Sequence, residues 1–353
     1  MTPDYTMTVQ GRIVAAVARL RLSRFSAVGL WVLFMVTFGI LEPSTFLSAT
    51  TFSIVFHQGV VPCLVALAFL VPLTAGAFDL SVGGLLALSL SLCVFLNIAT
   101  DLPILFIAVI ALLATSAVGA LSGFIVVRLR IDSFIATLGV SQLLLAGSIL
   151  ISGNSQIIGH FPDFWAALGI DRFLGAPIII FFLLAVSLLM WFIFEHTRIG
   201  RYLFATGGNA EAARLAGVPT DRMIWGSLIA SGFIAGLGGI VLSMQFAVFA
   251  PTTGPGYLFP AVTAVFLGAS QFQQRPNVWG TLVAYFALAF GIQGLTLAAP
   301  SASAWSQPLF QGAALILAVA LASRHLRQLR RGRHPRKTDP PSVRRSPAKA
   351  ALR

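Results

Sequence analysis

The sequence predicts an all-α fold: a polytopic helical membrane protein with about ten transmembrane segments. Of its 353 residues, 57% are hydrophobic and 10% are charged, and the mean hydropathy is +0.90. No soluble domain of this length has that balance. Apolar runs long enough for a membrane helix, which needs about 20 residues, recur from Ser26 to the low 320s with short polar breaks.

Ten apolar segments follow one another along the chain. They cover 26–41, 50–72, 80–98, 103–127, 134–152, 177–195, 223–249, 258–270, 278–298 and 305–322. The segment 258–270 is too short for an upright crossing, which suits a tilted or re-entrant piece. If it does not cross, the parity of every later segment changes.

The basic residues agree with a cytoplasmic N-terminus followed by ten crossings, because Lys and Arg in short loops are retained on the cytoplasmic side. Under this arrangement the basic C-terminal tail is cytoplasmic, and Arg172 is the one basic residue of 23 placed outside. The remaining cytoplasmic arginines are Arg12, Arg19, Arg21, Arg24, Arg128, Arg130, Arg198, Arg201, Arg214, Arg222 and Arg275. We therefore expect both termini in the cytoplasm.

The two ends of the chain are predicted to flank a transmembrane domain at 26–322. Residues 1–25 form a cytoplasmic region in which 11–24 is predicted to be an interfacial helix, because its apolar residues lie opposite its arginines. Residues 323–353 are predicted to be a basic, disordered tail attracted to anionic headgroups. The net charge of +12 thus indicates topology, not nucleic-acid binding. The first apolar run lacks a signal-peptide cleavage site and is interpreted as an uncleaved anchor.

The sequence excludes several kinds of chemistry. Cys63 and Cys93 lie in apolar segments without a neighbouring cysteine or a histidine at ligand spacing, so buried free thiols are expected. Lys337 and Lys349, both in the tail, are the only lysines, so the chain has no G-x-x-x-x-G-K-[ST] phosphate loop. We expect no metal, no organic cofactor and no ATP hydrolysis by this chain alone.

The carboxylates all map to loops or to the ends of segments. They are Asp4, Glu42, Asp79, Asp101, Asp132, Asp163, Asp171, Glu195, Glu211, Asp221 and Asp339. A proton-coupled carrier normally needs an ionisable group at membrane depth, and none is evident. Sodium coupling through broken helices and backbone carbonyls stays possible, because it needs no charged side chain.

Uncharged polar side chains within the apolar segments indicate a candidate substrate pathway. Asn97, Gln142, Gln245 and Gln293 would suit a neutral polyhydroxy molecule and would offer no counter-charge to an ion. Asp79, in the glycine-rich connection LTAGAFDLSVGG, is first interpreted as the N-cap of the following helix. A substrate contact is the alternative role for its side chain.

Residues 207–217, GGNAEAARLAG, are predicted to form a polar, alanine-rich helix between two long apolar segments. Asn209 is a good N-cap, Glu211 lies in the first turn and Arg214 near the last, and Gly217 ends the helix. The ordinary interpretation is that such a helix lies on the surface and has no binding role. Its place between membrane segments favours recognition by a partner outside the membrane.

An intramembrane serine protease is the enzyme alternative. The run Ala230–Gly232 resembles part of the G-x-S-G pattern, but Ile229 occupies the first glycine position, and His57 is the only histidine well inside an apolar segment. Small residues four apart on this segment, among them Gly232 and Gly236, have a simpler use, because they let helix backbones approach closely.

Seven stretches of the chain are specific in their combined order and spacing, although no single one is decisive. They are AGAFDLSVGGLLALS at 75–89, DSFIATLG at 132–139, LISGN at 150–154, TRIGRYLFATGGNAEAARLAGV at 197–218, SGFIAGLGGIVLS at 231–243, PTTGPGYLFPAVTAVFLGAS at 251–270 and NVWGTL at 277–282. In them the chain resembles the membrane permease of ribose-type sugar importers in the ATP-binding-cassette (ABC) superfamily. The resemblance covers about residues 25–322.

This resemblance implies the fold of an ABC importer permease in a bacterial cytoplasmic (inner) membrane. It also implies partners: an ATPase subunit pair, a periplasmic or extracellular sugar-binding protein, and a second permease subunit, identical or related. The loop matching 197–222 would supply the coupling helix that docks on the ATPase. The contact residues carried over are Gly208, Asn209, Glu211, Ala212, Ala213, Arg214 and Gly217.

Two stretches depart from the family pattern. Members usually have T-G-G-I-D where this chain has Ala75–Asp79, and S-L-S-G-G-R-G where it has Ser270–Pro276. Both changes replace small or flexible positions with bulkier or stiffer ones, and they leave the particular sugar open.

The predicted function is import of a neutral sugar or polyol, driven by ATP hydrolysis on a partner. Import of a nucleoside or a branched-chain amino acid by the same machinery is the nearest alternative. A self-sufficient ion-coupled carrier and a membrane enzyme are the alternatives from other classes.

Overall fold

The computed structural model describes residues 26–269, 275–302 and 305–316, which are mostly helical. The helices are α1 (Ser26–Leu41), α2 (Pro43–Phe46), α3 (Ala49–Thr74), α4 (Val82–Ala99), α5 (Ile104–Arg128), α6 (Ser133–Ser152), α7 (Asp163–Ile170), α8 (Ile179–His196), α9 (Arg198–Gly208), α10 (Ala210–Leu215), α11 (Thr220–Gln245), α12 (Pro255–Ala269) and α13 (Val278–Ala298). A 3-10 turn at Pro300–Ala302 precedes a further helical stretch at 305–316. Four short strands are β1 (Ile157–Ile158), β2 (Arg172–Phe173), β3 (Ala176–Pro177) and β4 (Val248–Phe249).

The predicted helical membrane architecture is confirmed. Among the described residues, the seven helices α3, α4, α5, α6, α8, α11 and α13 are long and apolar enough to cross a membrane. The apolar helices α1 and α12 are shorter, with 16 and 15 residues. The last predicted segment is helical over 305–316, and its remainder lies outside the described residues, as do the predicted N-terminal helix and basic tail. The count of about ten crossings stays a prediction.

One predicted segment boundary is wrong. The segment predicted at 223–249 is a helix only as far as Gln245, because the chain then forms β4. In that strand Phe249 pairs with Ile157 and Val248 pairs with Ile158. The apolar composition of these residues does not reveal that the helix ends, since a short apolar run is compatible with a buried strand as well as with a helix.

Helix α11 packs against α3, α4 and α5 at the centre of the bundle. A Cβ atom on Gly232 would lie 3.4 Å from the Cα atom of Gly119 on α5 and would collide with the Thr115 carbonyl. The Ser89 hydroxyl of α4 donates to the Gly236 carbonyl at 2.7 Å. The predicted packing role of both glycines is therefore confirmed, because Gly232 permits backbone contact with α5 and a Cβ atom on Gly236 would collide with the Thr115 side chain.

Helix α7 and two short antiparallel strand pairs, β1–β4 and β2–β3, cover one end of the bundle. The Trp165 Nε1 atom donates to the Ser243 hydroxyl at 3.1 Å, and the His57 Nε2 atom lies 2.8 Å from the Gly169 carbonyl oxygen. These contacts tie α7 to α11 and α3. The opposite end carries the α3–α4 connection and the arm formed by α9 and α10.

Candidate functional site

A cavity of about 420 Å³ opens between α3, α11, α12, α13 and the helical stretch 305–316. Its polar lining consists mainly of amide side chains, contributed by Gln58, Gln245, Gln293, Gln307 and Gln311. Tyr257 and Tyr285 add two phenolic rings. The volume lies within the range of about 300–1,000 Å³ that is usual for small-molecule sites. We call this space the glutamine cavity.

The glutamine cavity has no Asp, Glu, Lys, Arg or His among the described residues that line it. Glutamine amides both donate and accept hydrogen bonds, so they match ligand groups that do the same. Gln245 is partly committed, because its Nε2 atom donates to the His57 carbonyl at 2.7 Å. An uncompensated charge taken from water into such a site would cost several kcal/mol or more. The lining therefore suits a neutral, hydrogen-bonding ligand.

The structure brings together two of the five side chains predicted for the pathway. Gln245 and Gln293 share the glutamine cavity. Asn97 lies elsewhere, where its Oδ1 atom accepts from the His160 backbone N–H at 2.7 Å. Gln142 lies on an exposed face of α6. Neither lines the cavity, and the fifth residue, Asp79, occupies a different buried position.

The connection between α3 and α4 folds back against α6. The backbone N–H of Phe78 donates to the Ser133 hydroxyl at 3.0 Å, and that of Leu80 donates to the Thr137 hydroxyl at 2.9 Å. Ser133 and Thr137 stand one turn apart on the same face of α6. Two of the stretches that carry the resemblance, 75–89 and 132–139, thus form one structural unit.

Asp79 is fully buried in this unit. Its Oδ1 atom accepts from the backbone N–H of Ser81 at 3.0 Å and from the Ser81 hydroxyl, and Ser231 of α11 lies near enough to interact. Burial raises the pKa of the Asp79 carboxyl, and the nearby Ser231 hydroxyl and the hydrogen bonds from Ser81 oppose that rise. The predicted N-cap role is wrong, because Ser81 occupies that position and a turn separates Asp79 from α4.

Asp79 lies in a connection between helices, as predicted for the carboxylates, but it is buried there. Its exposed fraction is 0%. Its Oδ2 atom and the Ser231 hydroxyl oxygen have no aligned hydrogen-bond partner among the described residues. The carboxylate is therefore held mainly through one oxygen.

Helix α10 is the predicted polar helix. The Asn209 side chain accepts from the Ala212 backbone N–H at 3.0 Å, which confirms it as the N-cap. Ala213 is the buried residue of α10, and its other residues are exposed. Leu215 is 85% exposed. A single exposed leucine is ordinary, but this one lies beside small residues on α10, within the segment that connects the apolar helices α8 and α11.

The arm formed by α9 and α10 contacts the end of α3 through backbone atoms. A Cβ atom on Gly207 of α9 would collide with the Thr74 carbonyl and would lie 3.0 Å from the Gly76 backbone nitrogen. Gly76 has a φ of +81°, which favours glycine. Since the same helix α3 contributes Gln58 to the glutamine cavity, the arm and the cavity both contact one helix.

Arg275 joins α8 to α9. Its Nη2 atom lies 2.8 Å from both carboxylate oxygens of Glu195, and its guanidinium carbon lies 4.6 Å from the centre of the Phe204 ring. The two charged side chains are 34% and 32% exposed, so the ion pair contributes only about 0.2–1 kcal/mol. This contact helps fix the direction in which the arm leaves the bundle.

Known proteins are similar in sequence to most of this chain. Residues 51–319 match the family described as branched-chain amino acid transport system, permease component. The ribose import permease of Escherichia coli K12 is 33% identical over 319 residues, which are 89% of this chain and 97% of that protein. The chain belongs to this permease family.

Further relatives of the permease carry different substrates in their names. The fructose import permease of Rhizobium meliloti is 32% identical over 302 residues, 82% of each chain. The autoinducer 2 import system permease of Salmonella paratyphi B is 27% identical over 242 residues, 67% of this chain and 72% of that protein. No solved structure matches the chain significantly. The predicted resemblance to permeases of sugar importers is confirmed.

The permease does not assemble a serine–histidine pair from the residues considered for a membrane enzyme. His57 contacts Gly169 at the α7 end of the bundle, whereas Ser231 is buried beside Asp79. Nucleophilic catalysis needs the two side chains within hydrogen-bonding reach of each other. In the described ranges, no group of three or more His, Cys, Asp or Glu residues is placed to hold a metal ion. Cys63 and Cys93 are buried and free, as expected.

Sequence reasoning missed several side chains of the permease that the structure places at these sites. Gln58, Gln307 and Gln311 line the glutamine cavity, and Leu215 extends the exposed face of α10. One signal was available, since Gln307 and Gln311 are four residues apart and therefore share a helix face. Nothing local connects Gln58 with them, because they lie at opposite ends of the domain.

Proposed function

We propose that the permease is the membrane subunit of an ABC importer that moves a neutral sugar or polyol inward, driven by ATP hydrolysis on a partner subunit. The observation that carries this proposal is the glutamine cavity. It combines five amide side chains and two tyrosines with no charged side chain among its described lining residues.

The chemistry of the cavity favours a sugar over an amino acid. A branched-chain amino acid carries an ammonium and a carboxylate at neutral pH, and each would need an opposite charge or several aligned hydrogen bonds. Gln58, Gln293 and Gln311 instead offer amide groups that match sugar hydroxyls as donors and acceptors. The names of the ribose and fructose import permeases support the same substrate class.

The arm formed by α9 and α10 is the proposed docking site for the ATPase subunit. Its proposed contact residues are exposed and lie on α10 or its flanks. They are Gly208, Asn209, Glu211, Ala212, Arg214, Leu215 and Gly217. Ala213, which the resemblance also implied as a contact, is buried and anchors α10 instead.

ATP-driven closure of two ATPase subunits would displace the arm as a rigid body. The backbone contact of Gly207 with Thr74 and Gly76 would pass this displacement to α3. Helix α3 contributes Val55, Gln58 and Pro62 to the cavity, so its movement would change the cavity lining. The same contacts would let substrate binding in the cavity change the affinity of the arm for the ATPase, because coupling between two sites is reciprocal.

The proposed assembly contains two permease subunits, an ATPase pair and a periplasmic or extracellular sugar-binding protein. Ten crossings with both termini in the cytoplasm would put the arm on the side of the ATPase and α7 on the side of the binding protein. The distribution of arginines between loops supports this orientation. Helix α12, at 15 residues, would span only about 22 Å and would need to tilt or share the crossing with its flanking residues.

Buried Asp79 is the one observation that favours an ion-coupled carrier, since such carriers use carboxylates inside the membrane domain. Asp79 is not among the residues that line the glutamine cavity, and Ser81 hydrogen bonds already hold its Oδ1 atom. A role in fixing the turn that leads into α4, beside Ser231 of α11, accounts for these contacts. We therefore favour the importer.

Transport by the complex isolated from its native membrane tests the proposal. The complex is reconstituted in vesicles and offered labelled D-ribose, D-fructose, D-allose or L-leucine. We expect saturable uptake of a neutral sugar that requires ATP and persists when proton and sodium gradients are dissipated. Uptake of leucine alone would overturn the substrate class. Uptake abolished by dissipating an ion gradient, with ATP present, would overturn the energy source.

A further inference from the structure

A second cavity, of about 360 Å³, lies between α3, α8, α9 and α11. Its walls are formed by apolar side chains such as Val71, Met190, Phe194 and Ile234. Its polar lining residues are Ser227 and Arg222. The Ser227 hydroxyl is satisfied within its own helix, because it donates to the Ile224 carbonyl at 2.7 Å. The interior of this cavity therefore suits a hydrocarbon chain.

The cavity opens through the surface of α11 at Gly226. Gly226 is exposed, and a Cβ atom placed on it would have nothing within 4 Å. Ile199, on the opposite wall, is 54% exposed. Helix α11 is long and apolar enough to cross the membrane. An opening six residues after its first residue would therefore face the hydrocarbon region near one membrane surface.

The rim of the cavity is positively charged. Arg222 lines the cavity and is exposed at the start of α11. Arg198 and Arg201 are exposed on α9, whose residues Ile199 and Leu203 form one wall. Two carboxylates belong to the same neighbourhood. Asp221 is exposed beside Arg222, and Glu195 at the end of α8 is already paired with Arg275. Among the described residues of α9 and the start of α11, three exposed arginines stand against Asp221, which forms no ion pair there, so this end of the cavity has a net positive charge.

We propose that this cavity binds an anionic phospholipid, with one acyl chain between α8 and α11 and the headgroup against Arg222. The apolar interior matches the chain, the opening at Gly226 admits it from the bilayer, and the cationic rim matches a phosphate-bearing headgroup with a net negative charge. The bound chain would lie behind Ile199 and Leu203 of α9. It would stabilise the packing of the start of α9 against the bundle.

Two variants separate the chain from the headgroup. Gly226→Leu places a branched side chain at the opening, where its Cβ atom would have nothing within 4 Å, and Arg222→Gln removes the charge of the one arginine that lines the cavity. Their controls are Gly139→Leu and Arg128→Gln. Gly139 is an exposed glycine of α6 whose Cβ position is also open, and Arg128 is exposed in the last turn of α5.

The full-length chain is purified in mild detergent, stripped of lipid and mixed with phosphatidylglycerol or phosphatidylcholine, and the lipids retained per chain are counted by native mass spectrometry. We expect one tightly held phosphatidylglycerol in the wild type and in both controls. Arg222→Gln should reduce the preference for phosphatidylglycerol about five-fold. Gly226→Leu should lose the tightly held lipid of either kind.

Equal retention of the two lipids by the wild type would overturn the proposal, as would an unchanged count in Gly226→Leu. A Gly226→Leu change that abolishes self-association while leaving the lipid count intact would assign the cavity to a second copy of the chain. Should Gly226→Leu fail to remain monodisperse, the headgroup preference of the wild type and of Arg222→Gln still decides the question. These outcomes do not depend on which solute is transported.

Discussion

Gly207 of α9 and Gly76 of the α3–α4 connection lie backbone against backbone, so that a Cβ atom on Gly76 would be 3.1 Å from the Gly207 Cα atom. A side chain on either residue would push the α9–α10 arm away from α3. Since α3 also lines the glutamine cavity, this contact joins the proposed ATPase docking site to the proposed sugar site through a single helix.

Gly207→Ala is expected to damage this connection, because its methyl group would collide with the Thr74 carbonyl. Overpacking of this kind costs about 1–3 kcal/mol. We expect a lower thermal midpoint in detergent and loss of most ATP-driven uptake. Gly208→Ala is the stability control, because nothing lies within 4 Å of its Cβ position. Equal thermal midpoints for the two variants would show that the close contact at Gly207 does not contribute to stability.

Leu215→Asp is expected to weaken attachment of the ATPase subunit. Burying a leucine side chain in an interface is worth about 1.5–3 kcal/mol, so we expect at least about tenfold less ATPase to co-purify. Leu174→Asp is the matched control, because Leu174 is 88% exposed in the β2–β3 turn at the other end of the bundle. If both variants retain the ATPase equally, Leu215 lies outside the docking surface.

Gln293→Leu and Gln58→Leu are each expected to reduce sugar uptake. Loss of one hydrogen bond costs about 0.5–1.5 kcal/mol, which corresponds to a two- to tenfold fall in kcat/KM for transport. Gln142→Leu is the control, because Gln142 lies on an exposed face of α6, away from the cavity. Impaired uptake by Gln142→Leu, with normal uptake by the other two variants, would move the pathway to α6.

Asp79→Asn and Asp79→Ala separate a structural from a proton-carrying carboxylate. Asparagine keeps an oxygen that can accept from Ser81, whereas alanine leaves the Ser81 N–H buried and unpaired, at a cost of about 1–3 kcal/mol. We expect Asp79→Asn to transport normally and Asp79→Ala to have a lower thermal midpoint. Complete loss of uptake in a stable Asp79→Asn variant would favour the ion-coupled carrier.

The features that sequence predicted well are those set by local chemistry. Long apolar segments predicted the membrane helices, because a helix in a bilayer must bury its backbone polar groups and show an apolar surface. Asn209 was predictable as an N-cap because the contact is local: its side chain accepts a hydrogen bond from a backbone N–H only three residues away. The spacing of Gly232 and Gly236 likewise predicted close helix packing.

The features that sequence did not predict depend on tertiary contacts. Asp79 lies in a connection between apolar segments, and only the packing of α6 and α11 around it makes it buried. Gln58 and Gln311 meet in one cavity although about 250 residues separate them. Residues 246–249 leave the helix because β1 is available for pairing, which their own composition does not reveal.

Co-purification is the most direct test of the central claim that the α9–α10 arm holds an ATPase. The tagged full-length chain is isolated in mild detergent from its native membrane, and its partners are identified by mass spectrometry. We predict an ATPase with a phosphate loop in the wild type and in Leu174→Asp, and its loss in Leu215→Asp and in a charge reversal at Glu211. Isolation of the chain alone, under conditions that preserve other membrane complexes, would contradict the claim and favour a self-sufficient carrier.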